Sequence, residues 1–121
     1  VLPRFATLSN QGDSCAKAIN RHLLALTQPP LPDQAALLAG LDWLQTLDVR
    51  AQASHITQPT LLIHGGQDGL MPLAAAQWLV EHLPQAELLT LPDAAHAPFL
   101  HDPARCATAL ARWAGALDVQ A

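Results

Sequence analysis

Positive charge is scarce in this chain. Lys and Arg together number six among 121 residues, against ten Asp and Glu, for a formal net charge of −4. That balance argues against a nucleic-acid surface, which needs clustered cations to neutralise phosphates. No apolar run is long enough to cross a bilayer, and no signal-peptide pattern opens the chain. The expectation is a cytoplasmic protein with no membrane partner. Cysteine is equally sparse. Cys15 and Cys106 lie far apart and make no C-x-x-C pair, so two free thiols in a reducing compartment are expected. Six histidines are many for this length, but none falls in an H-x-x-x-H or H-E-x-x-H pattern, and no metal site is expected.

What the chain has in quantity is apolar surface, in patterns that change along its length. Half of it is hydrophobic, which excludes a disordered tail, and the length suits one ordinary domain. Residues 13 to 26, DSCAKAINRHLLAL, predict a helix capped by Asp13 or Ser14, with Ala16, Ile19, Leu23 and Leu26 at helical spacing. The prolines of TQPPLP stop it. Asp33 caps a second helix over roughly 34 to 46, with Leu37, Leu38, Leu41 and Leu44 on one stripe. Leu47 to Gln58 shows no period and reads as a connector.

After Pro59 the pattern is that of a parallel sheet. TLLIH is a short, continuous apolar run, as expected for a strand buried on both faces. Pro72 opens a helix over 73 to 83, and Pro84 ends it. AELLTL, 86 to 91, is a second strand, and PDAAHAPF is a loop. Pro103 opens a last helix through about Leu117, with Leu110, Trp113, Ala114 and Leu117 as its apolar face. Strand, helix, strand, helix implies an α/β class and a parallel pair. Two such strands need neighbours on both edges, so the expectation is a piece of a larger protein, and the opening residue, Val1 rather than Met, fits that.

Reactive groups in open α/β sheets sit just past the carboxyl ends of the strands. Asp68 follows the first strand and His96 the second. Alone, an Asp after GGQ is an ordinary turn residue and a loop His is ordinary polar surface. Together, at the ends of consecutive parallel strands about 5 Å apart, they can meet as an acid that orients and balances a general base.

PTLLIHGGQDGLMP followed by LPDAAHAPFLHDP resembles the last two strands of the α/β-hydrolase fold over residues 47 to 117. LPRFATLSNQGD, GLDWLQTLDVR and AAHAPF extend the resemblance over nearly the whole chain, to the pimeloyl-[acyl-carrier protein] methyl ester esterases of biotin biosynthesis. The resemblance implies that Asp68 and His96 are the second and third members of a Ser, Asp, His triad. It implies that residues 1–46 are the latter part of a helical cap, and 47–121 the C-terminal part of the core. Phe5, Ala6, Thr7, Leu8 and Ser9 would line the acyl pocket with His96. Arg4, Lys17 and Arg21 would face an acidic acyl-carrier protein, although Lys17 stands where the family has arginine and lacks its bidentate fork. Neither cofactor nor metal is implied.

A triad also needs a nucleophile. The serines are Ser9, Ser14 and Ser54, and none stands in a G-x-S-x-G frame. The expectation is a C-terminal portion of a carboxylesterase, inactive alone, whose partners include the missing N-terminal part of the same hydrolase. Self-association through exposed strands is a second expected outcome. Other hydrolases of this fold, lactonases and short-chain acyl esterases among them, share the Asp and His positions. A non-catalytic binding module derived from the fold is the alternative outside enzymology.

Overall fold

The computed structural model describes residues 2–26 and 33–118. In chain order the elements are α1 (Leu2–Ser9), α2 (Ala16–Leu26), α3 (Gln34–Thr46), a 3-10 turn (Arg50–His55), β1 (Thr60–Gly65), α4 (Leu73–His82), β2 (Ala86–Leu91), α5 (Pro98–His101) and α6 (Pro103–Asp118). The stop signal at 27–32 lies outside the described residues.

β1 and β2 pair in parallel from Thr60↔Ala86 to Gly65↔Leu91. Their apolar composition suits a strand covered on both sides, but only Gly65 and Leu91 are buried, Glu87 is exposed, and the rest are half-buried. The physical reason is the two-stranded sheet. Among the described residues no third strand covers either edge. The core that exists is small and sits where β2 turns into its following loop. Leu91, Ala94 and Cys106 are buried there, with Ile63 and Leu89 packed against them.

Cys106 also corrects the expected face of α6. Cys106 is buried and Trp113 and Leu117 are half-buried, whereas Leu110 and Ala114 are exposed. The covered stripe of α6 thus runs through Cys106, Trp113 and Leu117, without Leu110 and Ala114, and the helix packs against β1. α4 begins at Leu73, with Pro72 as the extended residue before it rather than its first residue. It stops at His82 because Leu83 precedes Pro84 and is extended, at φ −88 and ψ 122. The stretch read as a loop, 92 to 99, is a loop only to Ala97, where Pro98 opens α5. The connector contains the 3-10 turn at Arg50–His55.

α1 and α2 pack on each other through the buried Ala6 and Ile19. Asn10 closes the turn between them, its Nδ2 donating to Ala6 C=O and Asn20 Oδ1 at 2.9 Å each. Leu26, expected on the buried stripe, is exposed. α2 starts at Ala16, later than expected, and Asp13, the expected cap, accepts from Cys15 N–H at 2.7 Å just ahead of it. Asp33 does cap α3, accepting from Ala35 N–H at 3.2 Å. The leucine stripe of α3 is present but uncovered. None of its residues is buried, and Leu44 is 83% exposed.

Candidate active site

β1 and β2 end opposite one another, so the loops that follow leave the sheet side by side. They are stitched together by backbone. Gly66 N–H donates to Leu91 C=O at 2.8 Å and Gln67 N–H to Ala94 C=O at 2.9 Å. The paired glycines have a specific reason. A Cβ on Gly65 would stand 1.9 Å from Ala95 O, and one on Gly66 would stand 2.8 Å from Pro92 O. Neither has a positive φ. Both are glycine because the second loop's backbone occupies the space a side chain would need.

This close approach brings Asp68 and His96 together. His96 Nδ1 lies 2.9 Å from Asp68 Oδ2. Asp68 Oδ1 accepts from Leu70 N–H at 2.9 Å and Met71 N–H at 3.0 Å. The Asp68 side chain is 5% exposed and that of His96 39%. Burial works to raise the Asp68 pKa, but the Met71 amide, the His96 ring and the Leu70 amide together outweigh it and hold the carboxyl below its ordinary value. An ionised carboxylate accepts only, so the hydrogen-bonding pattern assigns the ring proton to Nδ1 and leaves the lone pair on Nε2. Such a ring can take a proton at Nε2 while Asp68 balances the imidazolium.

A cleft of about 200 Å³ lies against the pair, its apolar wall built from Leu62, Ile63, Met71, Ala75, Ala76 and Leu79. His64, the next-to-last residue of β1, lines the same cleft and donates from Nε2 to Met71 C=O at 3.0 Å. It thereby steadies the turn whose amides bond Asp68.

A second carboxylate–histidine pair stands behind the first. Asp13 Oδ1 accepts from His101 Nδ1 at 2.8 Å and from Cys15 N–H at 2.7 Å, and Oδ2 accepts from Ala95 N–H at 2.8 Å. The Asp13 side chain is 0% exposed. Burial again pushes its pKa up, and the Ala95 amide, His101 and the Cys15 amide reverse that and hold it below the ordinary value. Asp13, Cys15 and His101 form a group whose ligand atoms all lie within 4.8 Å of one another. The hydrogen bonds to Asp13 account for this grouping without an ion. The sequence leaves Asp13 a helix cap and His101 a structural or surface residue, and neither expectation includes their contact. No local signal marks the pair, since its members are 88 residues apart.

The other expected site residues divide. Ser9 C=O accepts from His96 N–H at 3.0 Å, which joins the end of α1 to the His96 loop. Ser9 itself is buried, its Oγ donating to Phe5 C=O at 2.8 Å. Ala6 is buried, whereas Phe5, Thr7 and Leu8 are exposed. Arg4, Lys17 and Arg21 are all exposed, and the ion pairs found among the described residues do not include them.

Residues 13–103 match a family model described as the alpha/beta hydrolase fold. A pimeloyl-[acyl-carrier protein] methyl ester esterase of Nitrosomonas europaea is 45% identical over 105 residues, covering 84% of this chain and 41% of the relative. The esterase of the same description from Aromatoleum aromaticum is 45% identical over 107 residues, covering 88% of this chain and 43% of the relative. The chain thus spans less than half the length of these curated relatives. Among solved structures, a Mycobacterium tuberculosis chain described as a non-heme bromoperoxidase superposes with a TM-score of 0.76 at 21% identity, covering 94% of this chain and 44% of that one. A 2-hydroxy-6-oxo-6-phenylhexa-2,4-dienoate hydrolase from Rhodococcus gives 0.62 at 16%, covering 93% and 42%. At these identities the structural matches speak to the fold alone.

Proposed function

The chain belongs to the α/β-hydrolase fold family, and from that premise we propose that it carries the acid, Asp68, and the base, His96, of a serine carboxylesterase acting on the methyl ester of pimeloyl-[acyl-carrier protein]. The observation that carries the reading is the 2.9 Å contact between His96 Nδ1 and a buried Asp68 carboxylate at the ends of adjacent parallel strands. The relatives at 45% identity, both pimeloyl-[acyl-carrier protein] methyl ester esterases, support that substrate.

None of Ser9, Ser14 and Ser54 stands in a nucleophile elbow, so the reading takes the serine and the oxyanion hole from hydrolase segments outside these 121 residues. That serine attacks the ester carbonyl while His96 Nε2 takes its proton. The tetrahedral intermediate collapses, the C–O bond to methanol breaks, and His96 returns the proton to the departing alcohol. Water then gives a proton to His96 and attacks the acyl-serine, and the serine leaves with that proton, freeing the pimeloyl carboxylate on its carrier. Throughout, Asp68 holds Nδ1–H and balances the imidazolium.

In the same reading residues 1–46 are the latter part of a cap and 47–121 the end of the core. Phe5 to Ser9 border the acyl chain. The exposed Arg4, Lys17 and Arg21 meet the acidic carrier protein, where opposite charge steers encounter. The uncovered leucines of α3 and the half-buried strands support a chain that completes its core against other hydrolase segments.

The test is to read the coding frame upstream of Val1, express its complete product and measure methanol release from the carrier-bound ester. A G-x-S-x-G serine is expected. Asp68→Asn should lower kcat about 10⁴-fold by presenting the wrong partner to Nδ1, and His96→Ala by at least as much. A frame without the elbow, or variants that keep the full rate, would overturn the reading.

A further inference from the structure

We propose that Asp13 is a positioning residue for His96, acting through the loop of residues 93–97 rather than on the substrate. The proposal rests on His96 as the catalytic base. The loop is held between a floor and a roof. The floor is the backbone of Gly65 and Gly66, too close to the loop for any side chain. The roof is the segment from Ser9 to Ser14, which makes three bonds to it. Ser14 N–H donates to Asp93 C=O at 3.2 Å, Ser9 C=O accepts from His96 N–H at 3.0 Å, and Asp13 Oδ2 accepts from Ala95 N–H at 2.8 Å.

The Asp13 bond stands apart from the other two. It joins an ionised group, fully buried, to the residue immediately before His96. Charge-assisted bonds of this kind are about twice as strong as neutral ones. The carboxylate is itself fixed by His101 Nδ1 from α5 and by the Cys15 amide at the start of α2. One side chain therefore locks together the α1–α2 turn, the His96 loop and the helix that follows it. The floor limits retreat toward the sheet, and Asp13 limits drift away from it. Between them His96 Nδ1 is held within reach of Asp68 Oδ2. Positioning of this precision is where small displacements cost most in rate.

The experiment is imidazole and amide NMR on the complete product of the coding frame, which needs no turnover and so stands apart from the test of esterase activity. In the unaltered chain His96 Nδ1–H should give a slowly exchanging resonance, lost in Asp68→Asn, which identifies it. Asp13→Ala should lose that resonance in molecules that remain folded by their other amide signals. Asp13→Asn should restore it, because its remaining oxygen can still accept from Ala95 N–H while its amide donates to the His101 ring, at the loss of the bond from Cys15 N–H. A carboxylate serving stability alone would lower the unfolding temperature but leave the resonance of folded molecules intact, and that result overturns the proposal. Should Asp13→Ala fail to fold, hydrogen exchange of the unaltered chain decides. The Ala95 amide is expected to exchange at least about tenfold more slowly than exposed loop amides. Exchange as fast as theirs overturns the proposal.

Discussion

Gly65→Ala adds one methyl group where the second loop's backbone leaves no room for it. The new Cβ would meet Ala95 O at 1.9 Å and Ala94 O at 2.5 Å, both backbone atoms with no rotamer in which to swing aside. Since Cβ contacts under 3.0 Å are essentially never seen, the loop must retreat by about 1.1 Å. The φ of Gly65 is not in the positive range, so the backbone itself accepts alanine and the penalty is purely steric. A straight retreat of that size stretches the His96–Asp68 contact from 2.9 Å to about 4 Å, beyond hydrogen-bonding range. Overpacking of this kind costs about 1–3 kcal/mol. For a domain of this length that is a fall in Tm of roughly 4–12 °C. Thermal unfolding followed by circular dichroism reads the first effect, and the His96 Nδ1–H resonance reads the second. Gly69→Ala is the control, because its Cβ would meet nothing within 4 Å. A Gly65→Ala chain with unaltered Tm and an intact His96 resonance would refute the reasoning.

The remaining predictions concern acid and helix stability. Asp13 and Asp68 both hold carboxyls below their ordinary values, so each contributes stability that is complete above about pH 4 and is lost as pH falls through the depressed folded value. Removing one of them in Asp13→Asn should make the fall of unfolding free energy with acid shallower between about pH 5 and 2, read by urea titration across that range. An equally steep fall would exclude the linkage. Gly115 lies inside α6, and a Cβ there would meet nothing within 4 Å. Gly115→Ala should therefore stabilise by about 0.5–1 kcal/mol in thermal unfolding, through lost freedom in the unfolded chain.

Much of the fold was legible because its signals are local. TLLIH and AELLTL read as strands from composition alone and form β1 and β2, with β1 one residue longer than expected. Asp33 announced the start of α3, where its side chain accepts from Ala35 N–H. Pro72, Pro84 and Pro103 marked helix ends to within a residue, since a missing N–H and a fixed φ act on the chain where they stand. The juxtaposition of Asp68 and His96 was legible for a related reason. Once two strands run parallel and in register, the loops after them must leave the same edge, and the residues in those loops become neighbours.

Local signals were thus enough for the alternation of strand and helix, the ends of most elements and the meeting of the two loops. Which side chains the elements share is set by long-range packing. Asp13 has the pattern of a helix cap and accepts from Cys15 N–H, but its carboxylate also takes Ala95 N–H and the His101 ring, donors that arrive 82 and 88 residues later. The glycines of GGQD read as a turn, yet their reason is the backbone of the second loop lying against them. The burial of Cys106 on α6 and the exposure of the leucines on α3 follow the same logic. Periodicity tells a helix which faces it has. Which face is covered depends on what else is there to cover it, and that is a property of the assembled molecule rather than of any segment.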